Sequence, residues 1–230
     1  MTVKKISVIG FFLSTLSMYC LSSVPDGMSL STPMFNVRPL LAHEKKLDCS
    51  WVIESSNGFI VFDCNNPSLC EIIHETTLVL SYKKGHLAIN NRRLACDAIQ
   101  IKAREGYLKF NTLDYDGTFV FARKDNDIYL VNHVDLEDYL FSVLRWESYS
   151  DWPLEVHWIF AIVFRTYVVN KVLEQRKKSE KHRQLFDIKS TNIHQTYKGR
   201  HPCDHLRQAI QDTRGIVLSY NNQPIIAMYD

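Results

Sequence analysis

Glu147 stands among Trp146, Tyr149 and Trp152. These residue types suit chemistry on a sugar. Aromatic faces offer large apolar platforms for rings. They also desolvate a neighbouring carboxyl, which favours the protonated form that a general acid needs. Hydrolytic glycosidases use two carboxylates across the scissile bond. Asp151 and Glu155 are close in sequence, but at the start of a predicted helix they equally suit the helix dipole. Spacing alone leaves Glu147 with two readings, a catalytic acid and a loop-capping or surface residue.

Other reactive residues give weaker patterns. Cys49, Cys64, Cys70 and Cys96 are separated by 14, 5 and 25 residues, spacings without the close pairs of a zinc site. In an exported chain they are expected to pair as disulfides, with three connectivities open. Cys203-Asp204-His205 offers a thiol beside an imidazole, but adjacent residues seldom reach the geometry of a nucleophile and its base. His157, at the start of an apolar helix, reads as a packed or capped histidine.

The elements that must position Glu147 fall into two parts. Residues 47–134 are β-rich, with short apolar runs at 58–63, 76–82, 86–90, 99–103, 107–110, 117–123 and 128–133. From Asp135 the period changes. Leu136, Tyr139, Leu140, Val143 and Leu144 mark one face of a short helix. A loop is expected over 146–152. Pro153 then suits the first turn of a longer helix. Its residues 154–173 are apolar nearly all round, which predicts burial, and Arg165 within that run needs a partner. The charged stretch 174–183 reads as a solvated end. A short helix over 204–213 and a hairpin of 216–220 with 225–229 around Asn221-Asn222 complete an α+β fold.

The 230 residues include 27 Lys+Arg and 25 Asp+Glu, a formal charge of +2, with 46% hydrophobic residues. Such a chain can bury a core, and its charge gives no electrostatic footprint for nucleic acid. Lys4 and Lys5, the uncharged run 6–21 and the small residues Ser22 and Ser23 predict a signal peptide over 1–22. An uncleaved anchor and a lipoprotein attached through Cys20 are the other readings of this segment. Cleavage would remove two lysines and leave a neutral chain with five of the six cysteines, Cys203 the one expected to stay unpaired. Residues 23–46, with Pro25, Pro33 and Pro39, read as a linker.

Several ordered blocks run over about 95–230. They are Val131-Asn132-His133-Val134-Asp135-Leu136-Glu137-Asp138-Tyr139-Leu140, Glu147, Trp152-Pro153-Leu154-Glu155, and Ala161 with Arg165-Thr166-Tyr167. The series continues through Phe186-Asp187-Ile188, Gln195-x-Tyr197-x-Gly199 and Thr213-Arg214-Gly215-Ile216-Val217-Leu218. Together these blocks resemble the SpoIID family (stage II sporulation protein D, or amidase-enhancer LytB domain).

The resemblance implies a lytic transglycosylase that cuts peptidoglycan glycan strands, preferentially peptide-free ones, between N-acetylmuramic acid and N-acetylglucosamine. Glu147 aligns with the family's catalytic glutamate, and one carboxyl group suffices because the muramic 6-hydroxyl is the nucleophile. Trp146, Tyr149, Trp152, Arg165, Tyr167, Gln195 and Tyr197 are the expected substrate-binding residues, with a helix-bracing role the alternative for Arg165 and Tyr167. The implied location is the periplasm or envelope of a bacterium. A non-catalytic glycan-binding activator of a cell-wall amidase, or of another envelope protein, is the alternative function.

Three departures qualify the resemblance. Arg145-Trp146-Glu147-Ser148 replaces the usual Pro-Ser-Glu-Met. Lys189 and His194 stand in a segment where some members carry zinc-linked cysteines, so neither metal nor cofactor is expected. Members also continue past the Tyr229 position into an H-S-x-x-G-G-like segment, whereas this sequence stops at Asp230; three expectations stay open, a truncated sequence, a segment lost together with activity, and a segment supplied by a partner.

Overall fold

The computed structural model describes residues 8–10, 35–45, 49–66, 68, 70–83 and 85–229. It is an α+β fold. One sheet runs in the order Ile188–Lys189, Pro39–Glu44, Asp127–Asp135, Thr118–Lys124, Ala98–Ala103, Phe59–Asp63 and Cys70–Ile73, with Asn36–Val37 also paired to Asp127–Asp135. A second sheet runs Leu113–Tyr115, Leu108–Phe110, Cys49–Glu54, Thr77–Lys83, His86–Ile89 and Arg92–Arg93. Alternation along the strands sends one set of side chains inward. Ile53, Leu78, Leu80 and Leu87 of the second sheet join Phe59, Ile101, Phe119, Phe121 and Leu130 of the first in one apolar core. Trp51 meets Phe121 edge to face, with centroids 5.9 Å apart.

Asp127–Asp135 passes directly into helix α1, Leu136–Glu147. Asp135 caps it, its carboxylate accepting the Glu137 N–H at 2.9 Å. Helix α2, Leu154–Lys177, lies beside α1 and helix α3, His205–Asp212. It is long and apolar enough to cross a membrane by length and composition. Here it is the core helix, burying Ala161, Phe164, Tyr167, Val168, Val169 and Val172.

Several expectations are corrected. Residues 36–44 of the predicted linker are strands, and Pro39 opens one of them, a place where its missing N–H is tolerated. Residues 146 and 147 belong to the last turn of α1, closed by the Ser148 hydroxyl donating to the Leu144 carbonyl at 2.5 Å. The C-terminal hairpin pairs Ile216–Tyr220 with Gln223–Pro224, not with 225–229. Asn221 and Asn222 both have positive φ, and this two-residue turn sets the register. Cys64, Cys70, Cys96 and Cys203 are free thiols, while Cys49 is buried in the second sheet opposite Tyr82. The expected pairing of the β-region cysteines is therefore not formed. The predicted leader, 1–22, lies outside the described residues except for Val8–Gly10, a strand against Ile216–Leu218.

His133 supplies a pH test of this fold. Burial, then the Arg38 guanidinium, lowers its pKa to about 4. The unfolded chain, near 6.5, binds the proton more readily. The stabilisation is complete above pH 6.5 and lost as pH falls towards 4. Urea unfolding at pH 7.5 and 4.5 is expected to differ by about 2 kcal/mol from this residue, and His133→Asn should remove that share.

Candidate active site

Glu147 follows Leu140, Val143 and Leu144 on one face of α1, at helical spacing. It is half-buried where that face reaches the surface. Its Oε1 accepts the Thr196 backbone N–H at 2.5 Å. Its other oxygen has no hydrogen-bond partner among the described residues.

Thr196 is held by an extended strap antiparallel to α1. The Lys198 N–H donates to the Ser142 hydroxyl at 3.0 Å, and a His201 ring nitrogen lies 2.7 Å from the Phe141 carbonyl oxygen. The strap alternates. Gln195, Tyr197 and Gly199 point inward, while Thr196 and Lys198 face α1 and solvent. Gln195 accepts from the Tyr139 hydroxyl at 3.0 Å and donates to the Phe164 carbonyl at 3.3 Å. Tyr197 donates to the Asn132 side chain at 2.6 Å, and its ring stacks on Tyr139 at 5.0 Å. Gly199 has φ +67°, and a Cβ there would stand 2.1 Å from the Asp114 carbonyl oxygen. Glycine is what lets the strap lie so close to that backbone.

The expected substrate residues therefore divide. Trp146, Tyr149 and Trp152 are 41%, 69% and 37% exposed and border the Glu147 end of α1. Tyr149 packs on Trp152 at 5.1 Å, and Trp152 stacks on Phe160 at 5.5 Å. The Lys198 ammonium lies 4.2 Å from the Trp146 ring centroid, leaving this platform with a charged rim. Gln195 and Tyr197 do not line an open groove, because they are buried with their polar atoms satisfied inside.

Arg165 and Tyr167 take the helix-bracing positions that were the alternative to a substrate role. Arg165 is fully buried, and its Nη2 and Nε meet the two Glu137 oxygens at 2.7 and 3.3 Å. It also donates to the carbonyls of Ala161, Ile210 and Ile216. This bidentate pair satisfies a charge that could not otherwise be buried. Tyr167 is a core aromatic, 6.2 Å from the Tyr229 ring.

Sequence reasoning missed Thr196, Lys198 and Tyr229. The Ile225 N–H still donates to the Leu218 carbonyl at 3.2 Å, and residues 226–229 then leave the hairpin and run beside α2, with Asn170 donating to the Pro224 carbonyl at 3.0 Å. Tyr229 packs on Phe164 at 4.5 Å. Its hydroxyl is buried near the Gln195 side chain, without a well-aligned hydrogen bond. Burial, then the Glu147 charge, holds this phenol well above its ordinary pKa.

A half-buried carboxyl with one oxygen pinned and the other open, beside exposed aromatic rings, can exchange a proton with a bound sugar. Residues 124–220 match the SpoIID family, described as stage II sporulation protein. The match contains α1, α2, the strap and α3, so Glu147 lies inside the SpoIID region. It implies a cell-wall-related function, an envelope-associated role and a context compatible with peptidoglycan binding. An uncharacterized protein of Brachyspira hyodysenteriae is 28% identical over 159 residues, 69% of this chain. The match covers 41% of that protein's length.

Proposed function

We propose that this chain is a lytic transglycosylase acting on peptidoglycan glycan strands outside the cytoplasmic membrane, with Glu147 as its acid and base. The observation that carries the reading is the Glu147 carboxyl, held by the Thr196 N–H and open on its other oxygen beside Trp146. The SpoIID match supports the cell-wall context.

In this mechanism protonated Glu147 gives its proton to the glycosidic oxygen between N-acetylmuramic acid and N-acetylglucosamine. The bond from C1 to that oxygen breaks, and the N-acetylglucosamine unit leaves as an alcohol. The muramic 6-hydroxyl oxygen closes on C1, and Glu147 takes its proton. The carboxyl is regenerated, no water is consumed, and the product carries a 1,6-anhydro ring. Intramolecular attack supplies the nucleophile at high effective concentration, so a second carboxylate is unnecessary.

Trp146, Tyr149 and Trp152 are the sugar platforms in this reading. Gln195 and Tyr197 fix the strap, and Arg165 fixes the helices. Tyr229 packs on Phe164, and its buried hydroxyl has no hydrogen bond to lose among the described residues. Tyr229→Phe is therefore expected to retain the fold and to keep the strand-cleavage rate within about twofold. A loss of roughly tenfold or more would give the hydroxyl a part in holding Glu147.

Purified protein incubated with peptide-free glycan strands tests the activity by mass spectrometry. Anhydro-muramic ends are expected. Ends bearing water's oxygen would make it a hydrolase. Strand binding without cleavage would favour a non-catalytic activator of a cell-wall amidase or another envelope protein.

A further inference from the structure

Two cations stand at the ring of Trp146, the residue directly before Glu147. The Lys198 ammonium lies 4.2 Å from the ring centroid and the Arg145 guanidinium carbon 5.3 Å. Neither is in an ion pair with a carboxylate among the described residues. The arginines around them are different. Arg200 on the strap pairs with Asp116 at 2.5 Å, Arg207 on α3 with Asp138 at 3.5 Å, and Arg165 on α2 with Glu137. Arg200 and Arg207 also lie near rings, those of Tyr107 and Phe141, but each has its carboxylate besides. Lys198 and Arg145 have the Trp146 ring instead. A ring attracts a cation weakly at an exposed site, so both keep most of their capacity for an anion.

Their placement follows from the elements that hold Glu147. Arg145, Trp146 and Glu147 are consecutive in the last turn of α1. Lys198 comes from the strap, two residues after Thr196, whose N–H holds the Glu147 carboxyl. Alternation puts Thr196 and Lys198 on the same side of the strap. The Lys198 N–H is itself fixed by the Ser142 hydroxyl at 3.0 Å. One strap thus holds the acid and brings an ammonium to the ring beside it. Lys198 is exposed and Arg145 half-buried, so both charges are open to a ligand.

We propose that Lys198 and Arg145 form a carboxylate subsite that takes the lactyl group of the muramic acid reacting at Glu147. The inference rests on the glycan reading of Glu147 and adds to it the register of the strand. Muramic acid and glucosamine units alternate along such a strand, and their rings differ in one substituent. Muramic acid carries a lactyl ether on its 3-oxygen, which ends in a carboxylate where no peptide is attached. In an N-acetylated strand without peptides this is the one charged group. It belongs to the same ring whose C1 and 6-hydroxyl react, so a contact there places the reacting sugar itself. A planar guanidinium can meet both carboxylate oxygens, and the ammonium adds a point charge. With glucosamine at Glu147 the two cations have no anion to meet, and that register binds less tightly.

The test titrates the full chain, with Glu147→Gln to keep strands intact, against two probes. One is soluble peptide-free strands, the other the same strands with their lactyl carboxyls coupled to methylamine. The carboxylate strands are expected to bind about tenfold tighter, the scale of one charge-assisted contact. The preference should fade as salt rises to about 1 M. An N-acetylglucosamine oligomer, which lacks the lactyl group, should bind no better than the methylamide. Lys198→Met and Arg145→Met keep an unbranched stem and remove the charge. Each should narrow the difference between the two strands, and together they should erase it. Equal binding of both strands, or a preference that survives the double variant, overturns the subsite and leaves the glycan reading standing. Binding of neither strand overturns that reading and the subsite with it. The comparison of two strands on one chain is decisive even if a variant fails to fold.

Discussion

Glu147→Gln is expected to leave peptide-free glycan strands uncut while binding persists. The amide keeps the size of the carboxyl, and its oxygen can still accept the Thr196 N–H. It has no proton to give at neutral pH and cannot take one from the 6-hydroxyl. General acid–base catalysis contributes about 100- to 10,000-fold, and one group serves both halves of the proposed reaction. The loss should therefore be about a thousandfold or more. Anhydro-muramic ends counted by mass spectrometry give the rate, and strand co-sedimentation gives binding. Unchanged cleavage would move the acid elsewhere. Loss of binding as well would make Glu147 a binding residue.

Arg165→Met should produce the largest loss of stability. It takes the guanidinium from a fully buried site where α1, α2, α3 and the strand at Ile216 converge. The Glu137 carboxylate, 13% exposed, would be left without its partner. Breaking such a pair costs about 3–5 kcal/mol, whereas replacing both members with neutral groups often costs little. Urea unfolding should therefore show Arg165→Met destabilised by about 3 kcal/mol or more. Arg165→Met with Glu137→Gln should regain part of that loss, a coupling that a double-mutant cycle isolates. Additive losses would show that the two residues act separately.

The strands were legible because alternation and turn residues are local signals. The apolar runs at 99–103 and 117–123 lie within a residue of Ala98–Ala103 and Thr118–Lys124. The start of α1 was legible through Asp135, and the burial of α2 through its nearly continuous apolar surface. The end of α1 was not. Trp146 and Glu147 extend the helical spacing, but a charged residue beside aromatics resembles a loop until Ser148 is seen closing the turn.

The site was half legible. Aromatic residues around a carboxyl are visible in the sequence, and Glu147 with Trp146, Tyr149 and Trp152 comes from them. The motif Gln195-x-Tyr197-x-Gly199 draws attention to its named residues. In the structure these are the buried half of an alternating strap, and the intervening Thr196 and Lys198 face outward. Extended backbone makes the alternation predictable, but which set faces in depends on Tyr139 and Asn132, contacts far away in sequence. Tyr229 was hidden because the path of 225–229 is decided by packing on Phe164 and Tyr167, not by any periodicity.

The strap has a consequence for when the carboxyl becomes competent. Glu147 is oriented by a backbone amide 49 residues further along the chain. That amide is in place only after Tyr197 and Gln195 have docked into an already formed core. No stretch of nascent or unfolding chain can assemble the arrangement locally. Competence is thus tied to the completed tertiary structure, and a chain caught midway through folding would carry the acid without the means to aim it.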